Sequence, residues 1–136
     1  MDGSLSDLKV VEYTTGIAGA MCAKALADFG ADVVKVEPPS GNRLRHVGPF
    51  PEGKPDPETS GMFMYLNANK RGVTLDLSDA DARARMNDLL ADADFFITDV
   101  QPSAADELGL AYDAVGAAHP RLICAYVTPF GNTGPY

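Results

Sequence analysis

Residues 8–39 read LKVVEYTTGIAGAMCAKALADFGADVVKVEPP. An apolar run, Leu8–Tyr13, leads into a turn at Thr14, Thr15 and Gly16. Cys22, Ala25, Leu26 and Phe29 then recur at i, i+3, i+4 and i+7, which predicts a helix with Cys22 on its apolar face. Gly30 is placed to end that helix in a left-handed conformation. A second apolar run, Val33–Val36, follows and stops at Pro38 and Pro39, because proline cannot donate to a sheet ladder. Strand, helix and strand within about 30 residues make one βαβ unit with a right-handed crossover. Ligands of such sheets sit at the carboxyl ends of the strands. Glu12, near the end of the first strand, is expected to face a cleft there.

The turn after that strand does not carry the G-x-G-x-x-G of a dinucleotide site. It offers Gly16 and Gly19 only, as G-I-A-G. Its helix-start N–H groups still suit an anion. Gly19 and Ala20 keep the first helical turn slim.

Composition narrows the function. The 136 residues suit one domain, and 46% hydrophobic content allows a core. A net charge of −8 argues against nucleic acid and against a polybasic membrane anchor. No apolar run approaches a transmembrane span, and the N-terminus MDGSLSDLK lacks signal-peptide character, so a cytoplasmic protein is expected. Between Lys35 and Arg71, six basic residues (Lys35, Arg43, Arg45, Lys54, Lys70, Arg71) face four acids (Glu37, Glu52, Asp56, Glu58). That surplus of two makes this interval the expected home of an anionic small molecule. Cys22 and Cys124 read as small core hydrophobes. His46 and His119 have no metal-ligand spacing around them, so no metal is expected; His119 reads as a cation at a helix exit.

Further along, residues 40–61 form a long irregular excursion rich in glycine and proline. Met62–Leu66 is apolar without a clear type. Val73–Leu77 alternates and predicts a strand. Ser78 and Asp81 read as a capping box for a helix faced by Ala82, Met86, Leu89, Leu90 and Ala93. Phe95–Ile97 is a strand, Pro102–Gly109 a short helix with its stop, Tyr112–Ala118 another helix, and Leu122–Val127 the last strand. The chain closes on the loop PFGNTGPY. Because a last strand with no covering helix would leave apolar surface bare, a piece of a longer protein is expected.

The segments quoted above, with LNANKRGVTLDLSD, ADFFITDVQPSAADELGL and HPRLICAYVTPFGNTGPY, resemble the N-terminal part of the family III CoA-transferases. This group includes formyl-CoA and carnitine CoA-transferases and α-methylacyl-CoA racemases. The resemblance implies an α/β fold: a Rossmann-like, mostly parallel sheet with flanking helices. Residues 1–136 would be the N-terminal part of the large domain of an interlaced homodimer. It implies coenzyme A, as an acyl-CoA substrate, and a carboxylic acid acceptor as partners. It also implies catalysis by an aspartate that forms an acyl anhydride and then an aspartyl-CoA thioester. In the family that aspartate follows the F-G-x-T-G-P-Y loop, so no catalytic residue is expected here and the isolated 136 residues are expected to be inactive.

The CoA-binding positions that the resemblance carries over are Gly16, Ile17 and Ala18; Leu75, Asp76 and Ser78; Asp99, Val100 and Gln101; and Thr128, Pro129, Phe130 and Gly131. The chain departs from the family at Thr98–Ser103, where E-N-F-R-P-G is common, and at Glu107, where arginine is frequent. These changes remove positive charge and an aromatic from the expected site. Two alternatives stand beside the transferase: a CoA-ester racemase or epimerase, which shares every motif here, and a non-catalytic structural or dimerisation half of a fused protein, which these departures favour.

Overall fold

A computed structural model describes residues 3–131. Ten regular elements follow one another: β1 (Lys9–Tyr13), α1 (Ile17–Asp28), β2 (Asp32–Glu37), α2 (Gly61–Asn67), β3 (Arg71–Thr74), α3 (Ala80–Ala91), β4 (Phe95–Thr98), α4 (Pro102–Leu108), α5 (Tyr112–Ala118) and β5 (Ile123–Tyr126). Two short 3-10 turns, Arg43–His46 and Pro51–Gly53, break up the excursion between β2 and α2.

The five strands make one sheet in the order β3-β2-β1-β4-β5, and each neighbouring pair is parallel. The chain winds outward from β1 to β3, then crosses to β4 on the other side of β1. The β1–β4 junction is thus the topological switch point, where open α/β sheets form their crevice. Alternation along each strand builds two cores, since successive side chains point to opposite faces. Val10, Val33 and Ile97 meet Ala23 and Ala27 of α1 on one face. Val11, Val36 and Phe96 meet Met86 and Leu90 of α3 and Val115 of α5 on the other.

Helix α1 exists where expected but turns another face inward. Its buried residues are Gly19, Ala20, Ala23, Lys24 and Ala27. Cys22, Ala25 and Phe29 are exposed, so the core position assigned to Cys22 is corrected. The helix is apolar nearly all round, so periodicity identified it without choosing the inner face. Small side chains decide the matter because they let the helix lie close to the sheet. At Gly19 an added Cβ would stand 2.6 Å from Thr14 Cγ2. Gly30 ends the helix region with φ +103°, as expected of a left-handed stop.

Three further boundaries differ from expectation. Met62–Leu66 lies in α2, started by Ser60, whose hydroxyl accepts the Phe63 N–H at 3.1 Å. The third strand is Arg71–Thr74 rather than Val73–Leu77. Leu75 and Leu77 are core residues, but beyond the Leu75 N–H bond to the Glu37 carbonyl the chain leaves the ladder. The cap of α3 is Asp79, which accepts the Ala82 N–H at 3.0 Å, and not Ser78. Ser78 instead gives its N–H and hydroxyl to Asp76 Oδ1, at 3.0 and 2.7 Å, closing a side-chain turn that competes with capping. The short helices at 102–108 and 112–118 and the β5 strand sit where the sequence placed them.

Candidate functional site

The carboxyl ends of the strands gather the nominated residues in sheet order. Leu75–Ser78 follow β3, Gly16–Ala18 follow β1, Asp99–Gln101 follow β4 and Thr128–Gly131 follow β5. The middle two groups are in direct contact. Asp99 Oδ1 accepts the Thr15 N–H at 2.7 Å and Oδ2 accepts the Gly16 N–H at 2.5 Å. Thr98 Oγ1 donates to the Tyr13 carbonyl at 2.8 Å, so the two strand ends are clamped above and below. One carboxylate therefore spans the switch point.

This contact sharpens the anion expectation for the α1 start. Asp99 takes the N–H groups just before the helix, and a carboxylate there is favoured by the helix dipole. The N–H groups of Ile17, Ala18 and Gly19, the first three inside the helix, find no acceptor among the described residues. Ile17 and Ala18 are exposed. The turn thus presents open donors beside a fixed negative charge.

The other nominated positions fall into two kinds. Asp76, Ser78, Gln101, Pro129, Phe130 and Gly131 are exposed, and Thr128 is half-buried. Thr128 accepts the Gly131 N–H at 2.7 Å, which folds the start of the last loop back on itself. Leu75 is buried and Val100 packs against the α3–α5 core, so their side chains are committed inward. The remainder of the FGNTGPY loop, residues 132–136, lies outside the described residues. Glu107 is exposed on α4.

The basic interval is mostly neutralised by ion pairs, some to acids outside it. Lys35 and Lys70 pair with Glu12, Arg45 with Glu37 and Glu58, Arg71 with Asp32, and Lys54 with Glu52. Arg43, exposed, is the one of the six without an ion pair among the described residues. The expected anion-attracting surplus on the surface is therefore corrected.

Glu12 is corrected too. It does not face a cleft: it is fully buried between the two lysines, and Thr14 Oγ1 donates to it at 2.5 Å. Asn42, also buried, donates Nδ2 to the Thr14 carbonyl at 2.5 Å and its N–H to Glu37 at 2.9 Å. Sequence reasoning missed this network. Its signal was present: Glu12 and Lys35 interrupt runs that are otherwise buried and apolar, and buried charges occur only when paired.

Burial pushes the Lys70 amine below its ordinary value, against the raising pull of Glu12. Burial also pushes the Tyr126 hydroxyl up to about 12; it donates to the Leu110 carbonyl at 2.6 Å and anchors β5 to the end of α4. His119 ends α5 as expected, with Nε2 2.7 Å from Asn87 Oδ1. No group of three or more His, Cys, Asp or Glu able to hold a metal occurs among the described residues. No helix there is long and apolar enough to cross a membrane.

Known proteins fit this frame closely. A CaiB/BaiF family protein from Brucella suis superposes with a TM-score of 0.89 at 37% identity, covering 100% of this chain and 36% of its own. The succinyl-CoA:(R)-benzylsuccinate CoA-transferase subunit of Thauera aromatica is 39% identical over 135 residues, which are 99% of this chain and 33% of that protein. The formyl-CoA:oxalate CoA-transferase of Escherichia coli is 33% identical over 138 residues, 100% of this chain and 32% of the relative. The chain thus spans about a third of the length of the curated relatives it matches. The model of CoA-transferase family III matches residues 5–136. With its parallel sheet, its switch-point turn and these relatives, the chain belongs to CoA-transferase family III.

Proposed function

We propose that this chain supplies the CoA-binding part of an acyl-CoA:carboxylate CoA-transferase. The observation that carries the reading is the α1 start, where exposed Ile17 and Ala18 have N–H groups with no acceptor among the described residues, beside the loop after β4. Helix starts of this kind suit phosphate oxygens. Gly16, Ile17 and Ala18 would meet the anionic part of CoA. Asp76, Ser78, Gln101, Thr128 and Phe130, with the backbone of Leu75, Val100 and Gly131, would line its flanks. Asp99 would shape the turn rather than contact the ligand.

The chemistry of the reading is carboxylate nucleophilic catalysis. An aspartate beyond Tyr136 attacks the thioester carbonyl, giving a mixed anhydride and free CoA thiolate. The thiolate attacks the aspartyl carbonyl and expels the donor acid, leaving an aspartyl-CoA thioester. The acceptor carboxylate then attacks that thioester, giving a second mixed anhydride and free thiolate, and the thiolate attacks the acceptor's acyl carbonyl, forming the new acyl-CoA and releasing the aspartate carboxylate. The described residues bind and orient; the attacking group, and the pairing of subunits or of further chain around it, come from elsewhere. The relatives, named as CoA-transferases for several acids, support the class.

Incubating the full-length protein with an acyl-CoA alone tests this. The reading expects a covalent CoA adduct on an aspartate outside residues 1–136, detected by mass spectrometry, and transfer when a carboxylic acid is added. Exchange of the acyl α-proton with deuterated water, with no adduct, would favour the racemase. Neither event, with CoA still unbound, would favour the structural half.

A further inference from the structure

Five charged side chains alternate in sign beneath the turn that follows β1. Lys70 Nζ lies 2.7 Å from Glu12 Oε2, and Lys35 Nζ lies 2.7 Å from Glu12 Oε1. Lys35 also acts on Glu37, whose carboxylate receives Arg45 Nε at 2.8 Å and Nη2 at 3.0 Å. Three cations thus meet two anions, leaving one positive charge in surplus. Glu58 reaches Arg45 at 3.3 Å, but its side chain is 80% exposed, so solvent screens it. The side chains of Glu12, Lys35 and Lys70 are 0%, 2% and 1% exposed.

Burying a surplus cation is costly unless hydrogen bonds satisfy it. Lys70 has them, donating to the Ala20 carbonyl at 2.9 Å and to Asn67 Oδ1 at 3.1 Å. No buried side-chain nitrogen or oxygen among the described residues lacks a partner. The row is also joined to the turn itself: Thr14 donates to Glu12, Asn42 holds the Thr14 carbonyl, and Lys70 grips the first turn of α1 through Ala20. On the other side of that turn stands Asp99, a negative charge where an anion would approach. Charges shielded from water act over longer range than surface charges.

We infer that this row is the electrostatic partner of the ligand turn. Lys70 is a positioning residue: its charge offsets Asp99 and makes the Thr14–Gly19 segment receptive to the anionic, phosphate-bearing part of a ligand that Lys70 does not touch. The inference rests on the reading that CoA binds at this turn.

The test is CoA titration of the full-length protein at low and high salt, with thermal melts to report folding. Lys70→Met leaves the Glu12–Lys35 pair intact and removes the surplus charge. It is expected to weaken CoA binding about three- to tenfold at low salt and to flatten its salt dependence. Glu37→Gln raises the surplus and is expected to tighten binding and steepen that dependence. A purely structural role would make both variants weaker, so weakening by both overturns the inference, as does unchanged affinity in folded Lys70→Met. If Lys70→Met does not fold, Glu37→Gln decides: tightening supports the inference and weakening overturns it. A wild-type protein that binds no CoA refutes the proposed function instead, before either variant is compared.

Discussion

The carboxylate of Asp99 and the backbone nitrogen of Gly16 lie 2.5 Å apart across the junction of β4 and β1. Two loops separated by more than eighty residues in sequence are thereby fixed to each other at the switch point. An added Cβ at Gly16 would stand 2.9 Å from Asp99 Oδ2, although Gly16 itself has an ordinary extended conformation with φ −105°. Gly16→Ala therefore acts by pushing Asp99 away, with no backbone strain. Asp99→Ala and Gly16→Ala should each cost about 1–2 kcal/mol, the range for losing charged caps and their bonds. The double variant should cost clearly less than their sum, because both remove one interaction. Denaturant unfolding of the four proteins checks this; full additivity would contradict the link.

Glu12 joins two buried lysines from different parts of the chain. Glu12→Gln removes the carboxylate that pairs directly with both and is expected to cost about 3–5 kcal/mol, the penalty for breaking a buried pair. Urea unfolding measures it. A loss below about 1 kcal/mol, the level of an exposed pair, would contradict the burial of this network.

Glu37 sets an acid limit. Burial raises its carboxyl, but the bonds from Arg45 and from the Asn42 N–H, with the charges of Arg45 and Lys35, hold it below its ordinary value of 4.5 overall. Its folded pKa lies below its unfolded one, so its contribution is complete above about pH 4.5 and is lost as pH falls through the folded value. Stability should drop as pH falls below about 4.5, and Glu37→Gln should be less stable above that pH and lose part of that drop. An equal drop in both proteins would show that other groups carry it.

The start of α3 distinguishes two neighbouring residues. Asp79→Ala removes the cap of Ala82 N–H and should cost about 1 kcal/mol, whereas Ser78→Ala, which removes a hydroxyl bonded to Asp76, should cost a few tenths. Melting temperatures of the two variants check the order. A larger loss at Ser78 would restore the capping box read from sequence.

These residues also mark how far sequence reasoning reached. Strands, helices and the parallel class were legible because Val10, Val11, Val33 and Met86 repeat with the periods of strand and helix. The inner face of α1 was not legible, because Ile17, Met21, Cys22 and Phe29 are apolar and yet lie outside. Only the close approach of Gly19 to Thr14, a tertiary fact, selects the alanine face. The positions nominated from the family's motifs all fall at strand ends. Which of them look outward was not legible: Leu75 and Val100 turn into the core, and Asp99 spends its carboxylate on the turn. The Lys35 to Arg71 interval looked like a basic surface because one-dimensional counting cannot see Asp32 and Glu12, which lie outside it and neutralise it.

The central claim is that the open start of α1 receives the anionic part of CoA. Ile17 is half-exposed at the first position of that helix, where an acidic side chain is compatible with the dipole and leaves the fold intact. Titration of CoA into full-length wild type and Ile17→Glu measures the claim. The account predicts an unchanged or slightly raised melting temperature together with at least about tenfold weaker CoA binding, since a fixed negative charge would face the ligand's phosphates. Equal CoA affinity in the two folded proteins would contradict it.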